Sequence, residues 1–149
     1  MTETATELEI VSMKRTGSCL CGDVTFEAET MPTMQACHCS MCRKWGGGPF
    51  MAVPCQAASF AGPISRYASS EGAERAFCTT CGTNLYYHTV GGPIHAIPIG
   101  LFNDQSELPF RAEIYVDDKP DYYAFANATK KMTGAEFEER FRASQMKSE

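Results

Sequence analysis

The sequence predicts a mainly β domain of short antiparallel strands, with a short helix after Cys39 and a second helix at the C-terminus. Three observations predict it. Apolar residues alternate with period two in several short runs, glycines and prolines punctuate those runs, and apolar spacing suited to a helix occurs in only two places.

Residues 1–13 (MTETATELEIVSM) show no turn chemistry and no periodicity beyond Leu8, Ile10 and Val11, so they read as a flexible leader. A single folded domain is expected over 14–149. Its strands are expected at 23–28, where Val24, Phe26 and Ala28 alternate, and then at 49–53, 64–68, 74–77, 84–88, 94–99 and 112–116. The first helix is expected over 39–45, stopped by Gly46-Gly47-Gly48 and Pro49. The C-terminal helix starts at Thr133-Gly134-Ala135-Glu136, a capping box ahead of Phe137 and Phe141 at i and i+4. Glu138 and Arg142, also four apart, are expected to support its exposed face.

With 149 residues, 44% of them hydrophobic, the chain is long enough for one ordinary core. Its longest apolar runs fall far short of the roughly 20 residues that a bilayer demands, and the N-terminus lacks the apolar stretch of a signal peptide. A cytoplasmic protein with no membrane contact is expected. The net charge of −5 and the lack of any basic cluster larger than Lys14-Arg15, Arg43-Lys44 or Lys130-Lys131 exclude the footprint of a nucleic-acid binder.

Eight cysteines need an explanation, and a reducing cytoplasm argues against disulfides. They stand as Cys19-Leu20-Cys21-Gly22, Cys37-His38-Cys39-Ser40-Met41-Cys42, Cys78-Thr79-Thr80-Cys81-Gly82 and an isolated Cys55. Random placement gives about 0.4 pairs at any one spacing; two Cys-x-Cys and two Cys-x-x-Cys pairs are present here. Zinc takes four soft donors in a tetrahedron, and two short-spaced pairs from distant parts of a chain supply them, with a glycine after each pair allowing the tight turn. Cys19, Cys21, Cys78 and Cys81 therefore make a closed structural site. A dithiol redox motif would want Cys78 at a helix start. The residues that follow, Gly82, Thr83 and Asn84, favour a turn and a strand instead.

Cys37, Cys39 and Cys42 leave a tetrahedral ion one ligand short, which marks this triplet as the functional site. His38 could complete it only by strained chelation beside two cysteine ligands, and His88 and His95 read as core or surface residues. Cys55, behind Pro54, reads as a buried free thiol. Arg43 and Lys44 are candidates to hold an anionic substrate or, equally, to stabilise a helix end. Trp45, Gly47 and Phe50 are candidates for the floor of a substrate pocket, with plain packing the alternative for Trp45.

The segments Gly17-Ser18-Cys19-Leu20-Cys21-Gly22-Asp23-Val24, CHCSMCRKWGGGPF at 37–50 and FCTTCGTNLYY at 77–87 resemble the glutathione-dependent formaldehyde-activating enzyme family, which also includes centromere protein V. The resemblance runs from about residue 14 to 125. It implies a mostly β "tent" fold with a structural zinc on Cys19, Cys21, Cys78 and Cys81 and a catalytic zinc on Cys37, Cys39 and Cys42. It also implies a carbon-sulfur lyase chemistry, the joining of glutathione to formaldehyde.

The expected activity is then zinc-dependent addition of a thiol, glutathione or similar, to a small aldehyde, with Cys37, Cys39 and Cys42 as the catalytic set. Two zinc ions per chain are expected, the second held less firmly because it has three ligands. Two other readings stay open at this stage: a non-catalytic, zinc-structured binding protein, and a thiol redox switch at Cys39 and Cys42.

Overall fold

The computed structural model describes residues 13–147, and it is mainly β with the two expected helices. Apart from Met13, which opens the first strand, the expected leader lies outside the described residues. The chain divides into two compact units, one of residues 13–34 with 52–109 and the other of 35–51 with 110–147.

In the first unit β1 (Met13–Ser18) and β2 (Thr25–Thr30) form an antiparallel hairpin, with Met13 opposite Thr30 and Ser18 opposite Thr25. The residues between them, 19–24, carry the first cysteine pair. Beyond β2 lie β4 (Phe50–Ala61), β8 (His95–Pro98), β7 (Asn84–Thr89), β6 (Ala73–Cys78) and β5 (Ile64–Ser70), every neighbouring pair antiparallel. The strands bury one face because their apolar residues fall on alternate positions. Phe26, Ala28 and Thr30 of β2 point inward while Thr25 and Glu27 are exposed.

Phe26 packs on Phe60 and edge-on against Phe102, each with ring centroids 5.2 Å apart, and Val24, Val53, Leu85 and Ile97 are completely buried beside alanines 28, 52 and 76. Gly17 is obligatory here. A Cβ at this position would lie 2.2 Å from the Leu101 carbonyl oxygen and 2.5 Å from Phe26 Cζ.

Strand β4 runs on to Ala61, past Pro54, where the sequence suggested a stop near Val53. The register shifts between the pairs Glu29–Ala57 and Thr30–Cys55, so Gln56 is the extra residue of a bulge. The Pro54 carbonyl still accepts a hydrogen bond from the Met31 amide at 2.9 Å. A bulge beside a proline lets a strand continue where a flat ladder would break.

The second unit contains most of β3 (Met34–Cys37), then α1 (Ser40–Gly46), β9 (Phe110–Ile114), β10 (Lys130–Met132) and α2 (Gly134–Lys147). Strands β9 and β10 are parallel, an exception to the expected antiparallel pattern, with Lys130 opposite Ala112 and Met132 opposite Ile114. Parallel neighbours need a long crossover. Residues 115–129 supply it through a 3-10 turn at Val116–Asp118 and an irregular return.

Helix α2 begins as the sequence foretold. The Glu136 amide donates to Thr133 Oγ1 at 3.1 Å and the Glu136 carboxylate takes the Thr133 amide at 2.8 Å. The charge pairing on its surface differs from the expected Glu138–Arg142 pair. Arg142 bonds Glu139 at 3.0 Å, whereas Glu138 receives the Tyr115 hydroxyl. Position i+3 lies as close on a helix as i+4, and Tyr115 claims Glu138 first.

Candidate functional site

Each cysteine group is built within one unit. In the first, the loop between β1 and β2 folds back on itself: the Cys19 amide bonds the Val24 carbonyl at 3.0 Å and the Gly22 amide bonds the Cys19 carbonyl at 3.2 Å. The turn after β6 repeats the design, with the Cys78 amide on the Thr83 carbonyl at 2.9 Å and the Gly82 amide on the Cys78 carbonyl at 2.8 Å. Gly22 and Gly82 have φ of 87° and 82°, a left-handed backbone that favours glycine. The two turns meet where the Leu20 amide donates to Thr83 Oγ1 at 3.1 Å.

The sulfurs of Cys19, Cys21, Cys78 and Cys81 all lie within 4.8 Å of one another, with Cys19–Cys21 at 3.6 Å and Cys21–Cys78 at 3.9 Å. Four sulfurs at 2.3 Å from a zinc ion stand about 3.8 Å apart. The donor set therefore fits a tetrahedral soft ion. The surrounding amides favour thiolate: Val24 donates to Cys19 at 3.3 Å, Asp23 to Cys21 at 3.5 Å, and Cys81 to Cys78 at 3.4 Å. The Thr83 hydroxyl, 3.1 Å from Cys81 Sγ, pulls that thiol down to about 5.

In the second unit Cys37 ends β3, Cys39 is the N-cap of α1, and Cys42 sits in its first turn. Cys39 Sγ accepts the Cys42 amide at 3.4 Å, so the sulfur takes the place of the usual hydroxyl or carboxylate cap. The three Sγ atoms lie within 4.8 Å of one another, and Cys37 and Cys42 are buried with Ile114 and Met132 under Phe50, Tyr115 and Phe137. Hydrogen bonding to its neighbours, the Cys37 thiol first, lowers Cys39 to about 2, while the same contact raises Cys37. Three sulfurs this close ionise together only when a cation neutralises them, so the cluster also suits a thiophilic metal.

His38 lies between two of these cysteines and is completely buried. Its Nε2 is 2.8 Å from Glu113 Oε1 and its Nδ1 is 2.7 Å from the Tyr123 hydroxyl. Glu113 Oε2 accepts the Thr129 hydroxyl at 2.6 Å, and Lys131 Nζ stands 3.8 Å away. Burial acts to raise the Glu113 carboxyl, but Thr129, His38 and Lys131 together hold it below the usual range. An ionised Glu113 takes the Nε2 proton, which leaves Nδ1 to accept the Tyr123 hydroxyl. Burial, opposed by Arg43, holds that phenol above its ordinary value. With both ring nitrogens engaged, His38 is a brace for the cysteines rather than a fourth ligand.

The other candidate residues are placed as follows. Arg43 donates from Nε to the His38 carbonyl at 2.9 Å and from a terminal nitrogen to the Asp118 carbonyl at 3.1 Å, so it ties α1 to its surroundings. Lys44 is exposed on the last turn. Trp45 is half-buried, 5.5 Å from Phe50 between ring centroids, and Phe50 packs on the cysteine cluster. Gly47 has φ of 83° and its amide bonds the Arg43 carbonyl at 2.8 Å, the left-handed C-cap of α1.

A cavity of about 450 Å³ opens nearby, between Tyr115, Asp117, Asp118, Glu138 and Arg142. None of the residues proposed from sequence for substrate binding lines it. Glu113, Tyr123 and Thr129 were not among the site residues proposed from sequence, since Glu113 and Tyr123 lie 75 and 85 positions from their partner His38, Thr129 joins only through Glu113, and no spacing motif links them. In the first unit Cys55 is completely buried, donates to the Val53 carbonyl at 3.3 Å, and is raised to about 12 by burial.

The model of the glutathione-dependent formaldehyde-activating enzyme family matches residues 14–118, which include all seven clustered cysteines. The chain belongs to this family. A relative from Schizosaccharomyces pombe, named only as an uncharacterized lyase, is 41% identical over 122 residues, covering 78% of this chain and 89% of its own. A crystal structure of a Rhodobacter sphaeroides protein shares the fold, with a TM-score of 0.51 and 23% identity over 64% of this chain and 98% of that one. Among the described residues no helix is long and apolar enough to cross a membrane.

Proposed function

We propose that this family member is a cytoplasmic, zinc-dependent carbon-sulfur lyase that joins a thiol such as glutathione to a small aldehyde at Cys37, Cys39 and Cys42. The observation that carries the reading is the three-sulfur cluster whose one neighbouring imidazole, His38, is fully engaged by Glu113 and Tyr123. That arrangement supplies three protein donors where a structural site supplies four, as Cys19, Cys21, Cys78 and Cys81 do. Cys37, Cys39 and Cys42 would hold the zinc ion, which would supply the Lewis acidity that lowers the pKa of a substrate thiol toward neutrality.

The protein's residues set the conditions. Cys39 and Cys42 are fixed by the first turn of α1, and Cys37 by β3 and the His38 brace, so the donors are preorganised. Ile114, Met132, Phe50 and Phe137 keep one side of the cluster apolar, which limits competition from water. The reaction is an addition: a sulfur–carbon bond forms, the carbonyl π bond opens, and the carbonyl oxygen ends with the proton released by the thiol. Nothing is oxidised. Family membership and the lyase name of the S. pombe relative support the class of reaction.

The test is zinc content and adduct formation in one series. Wild type is expected to hold two zinc ions per chain and to speed the adduct of formaldehyde and glutathione beyond the spontaneous rate. Cys42→Ser is expected to keep the fold, lose one zinc and fall to the spontaneous rate, while Cys81→Ser loses the fold of the first unit. A Cys42→Ser protein that retains the full rate sinks the enzyme reading at this site, and one that unfolds like Cys81→Ser makes the second zinc structural.

A further inference from the structure

The four-cysteine cluster of the first unit holds its sulfurs unequally. Cys19 and Cys78 are 4% and 0% exposed, Cys81 is half-buried, and Cys21 is the one exposed cysteine among the described residues. It stands in the turn between β1 and β2, beside Leu20, itself 88% exposed, and the exposed Gly22. The three-cysteine cluster of the second unit is better screened, with Cys37 and Cys42 at 9% and 5% exposure and Cys39 half-buried. The sulfurs expected to do chemistry are therefore the protected ones, and the sulfur that meets solvent belongs to the staple.

Hydrogen bonding follows the same gradient. A bound metal ion keeps all four sulfurs as thiolates, and a donor that draws charge from a thiolate weakens it as a nucleophile. Cys19 takes the buried Val24 amide at 3.3 Å, Cys78 the Cys81 amide at 3.4 Å, and Cys81 the Thr83 hydroxyl at 3.1 Å. Cys21 takes the Asp23 amide at 3.5 Å, the longest of these contacts and an exposed one.

Thiolate character, access to solvent and a second thiol within reach are what an oxidisable cysteine needs. The third condition is met as well, with Cys21 Sγ 3.6 Å from Cys19 Sγ and 3.9 Å from Cys78 Sγ. Leu20 alone separates Cys19 from Cys21, and a disulfide across one residue closes a small ring that strains its geometry. Cys78 ends β6 and opens the other turn, so a bond to it closes no small ring.

We propose that Cys21 is a modification site for peroxides, with Cys78 as the thiol that resolves it. With hydrogen peroxide, the Cys21 thiolate attacks one oxygen: the S–O bond forms, the O–O bond breaks, and hydroxide leaves, giving a sulfenic acid. The Cys78 thiolate then attacks the Cys21 sulfur, the S–S bond forms, and a second hydroxide leaves. Together the two sulfurs lose two electrons, the peroxide gains them, and two protons from solvent turn the hydroxides into water. Cys19 and Cys81 remain as protein donors, too few to retain a tetrahedral ion. The new bond joins the same two turns that the ion joined, so peroxide exchanges one staple for another, and a small thiol reductant reverses the exchange.

The experiment uses full-length, zinc-loaded wild-type protein whose zinc content is measured first. It is then treated with about one equivalent of hydrogen peroxide beside a zinc-sensitive dye, and its thiols and disulfides are mapped by alkylation, proteolysis and mass spectrometry. One zinc ion per chain is expected to leave as a link between Cys21 and Cys78 appears, while Cys37, Cys39, Cys42 and Cys55 remain open to alkylation after denaturation. Free Cys21 should disappear at least about tenfold faster than Cys39, the least buried sulfur of the other cluster. Dithiothreitol and added zinc are expected to restore the starting state. The proposal falls if Cys39 or Cys81 is consumed first, if the first link is any other than Cys21 to Cys78, or if all four thiolates survive a large excess of peroxide. It rests on zinc filling the four-cysteine site, as proposed above, and not on the lyase activity. Protein that holds no zinc there overturns both, whereas zinc-filled protein with an untouched Cys21 overturns this proposal alone.

Discussion

Replacing Glu113 with glutamine removes one charge from a buried network and almost no volume. The carboxylate accepts two short bonds, from His38 at 2.8 Å and Thr129 at 2.6 Å. Each is charge-assisted and contributes about 1.5 to 3 kcal/mol, against about 0.5 to 1.5 for a neutral pair. Glutamine can keep both contacts by giving its oxygen to His38 and its nitrogen to Thr129, so the loss is the difference, about 2 to 3 kcal/mol for the two. Lys131, whose side chain is 55% exposed, adds less than about 1 kcal/mol. The expected outcome is a zinc-loaded Glu113→Gln protein destabilised by about 2 to 3 kcal/mol in urea. Trp45, the single tryptophan, sits in the same unit and reports the unfolding by its fluorescence. Zinc is expected to leave the Cys37, Cys39 and Cys42 site faster and the four-cysteine site at its former rate. A change below about 0.5 kcal/mol, the scatter of ordinary surface substitutions, together with unaltered zinc release would refute the brace as a source of order at this site.

The pH dependence follows from the same group. Glu113 is held below its ordinary range, so its stabilisation is complete above the unfolded value near 4.3 and is lost as pH falls through the lower folded value. The difference in stability between wild type and Glu113→Gln should therefore shrink on acidification below about pH 4, and a difference that grows there contradicts it. Thr133→Ala deletes the oxygen that caps Glu136 and should cost about 1 kcal/mol, read as a lower Tm. Gly17→Ala drives a methyl into the Leu101 carbonyl and Phe26, and should cost upward of about 1 to 3 kcal/mol, again visible in thermal melting. Cys55, buried and raised to about 12, should resist a thiol reagent in the zinc-loaded protein and react only on unfolding; rapid labelling of native protein would show that the core opens there.

Much of this was legible in the residues. The capping box at Thr133 and Glu136 is a local code, read by atoms three residues apart, and its two hydrogen bonds form as written. The glycines after Cys21 and Cys81 mark the turns for the same reason. Strand β10 was not legible, because Lys130-Lys131-Met132 has no alternation long enough to register and its pairing with β9 depends on a crossover. Strand β3 is only one residue longer, and β1 reads as polar because its buried members are Arg15 and Gly17. Arg15 is 6% exposed and is accommodated by Thr30 Oγ1 at 3.2 Å and the Asp104 carbonyl at 2.7 Å, partners set by the tertiary fold alone. The brace around His38 was hidden in the same way, since long-range polar pairing has no periodicity.

The tripeptide Cys37-His38-Cys39 is extended backbone, and extended backbone sends successive side chains to opposite sides. Two sulfurs therefore face the cluster while the imidazole between them faces Glu113 and Tyr123. These three letters encode a binding side and an anchoring side at once, in alternating order. A one-residue insertion or deletion here would exchange the two sides, presenting an imidazole to the cluster and a thiol to the carboxylate. This stretch cannot vary in length, so the chain's tolerance for insertions must lie elsewhere, in turns such as Val90-Gly91-Gly92.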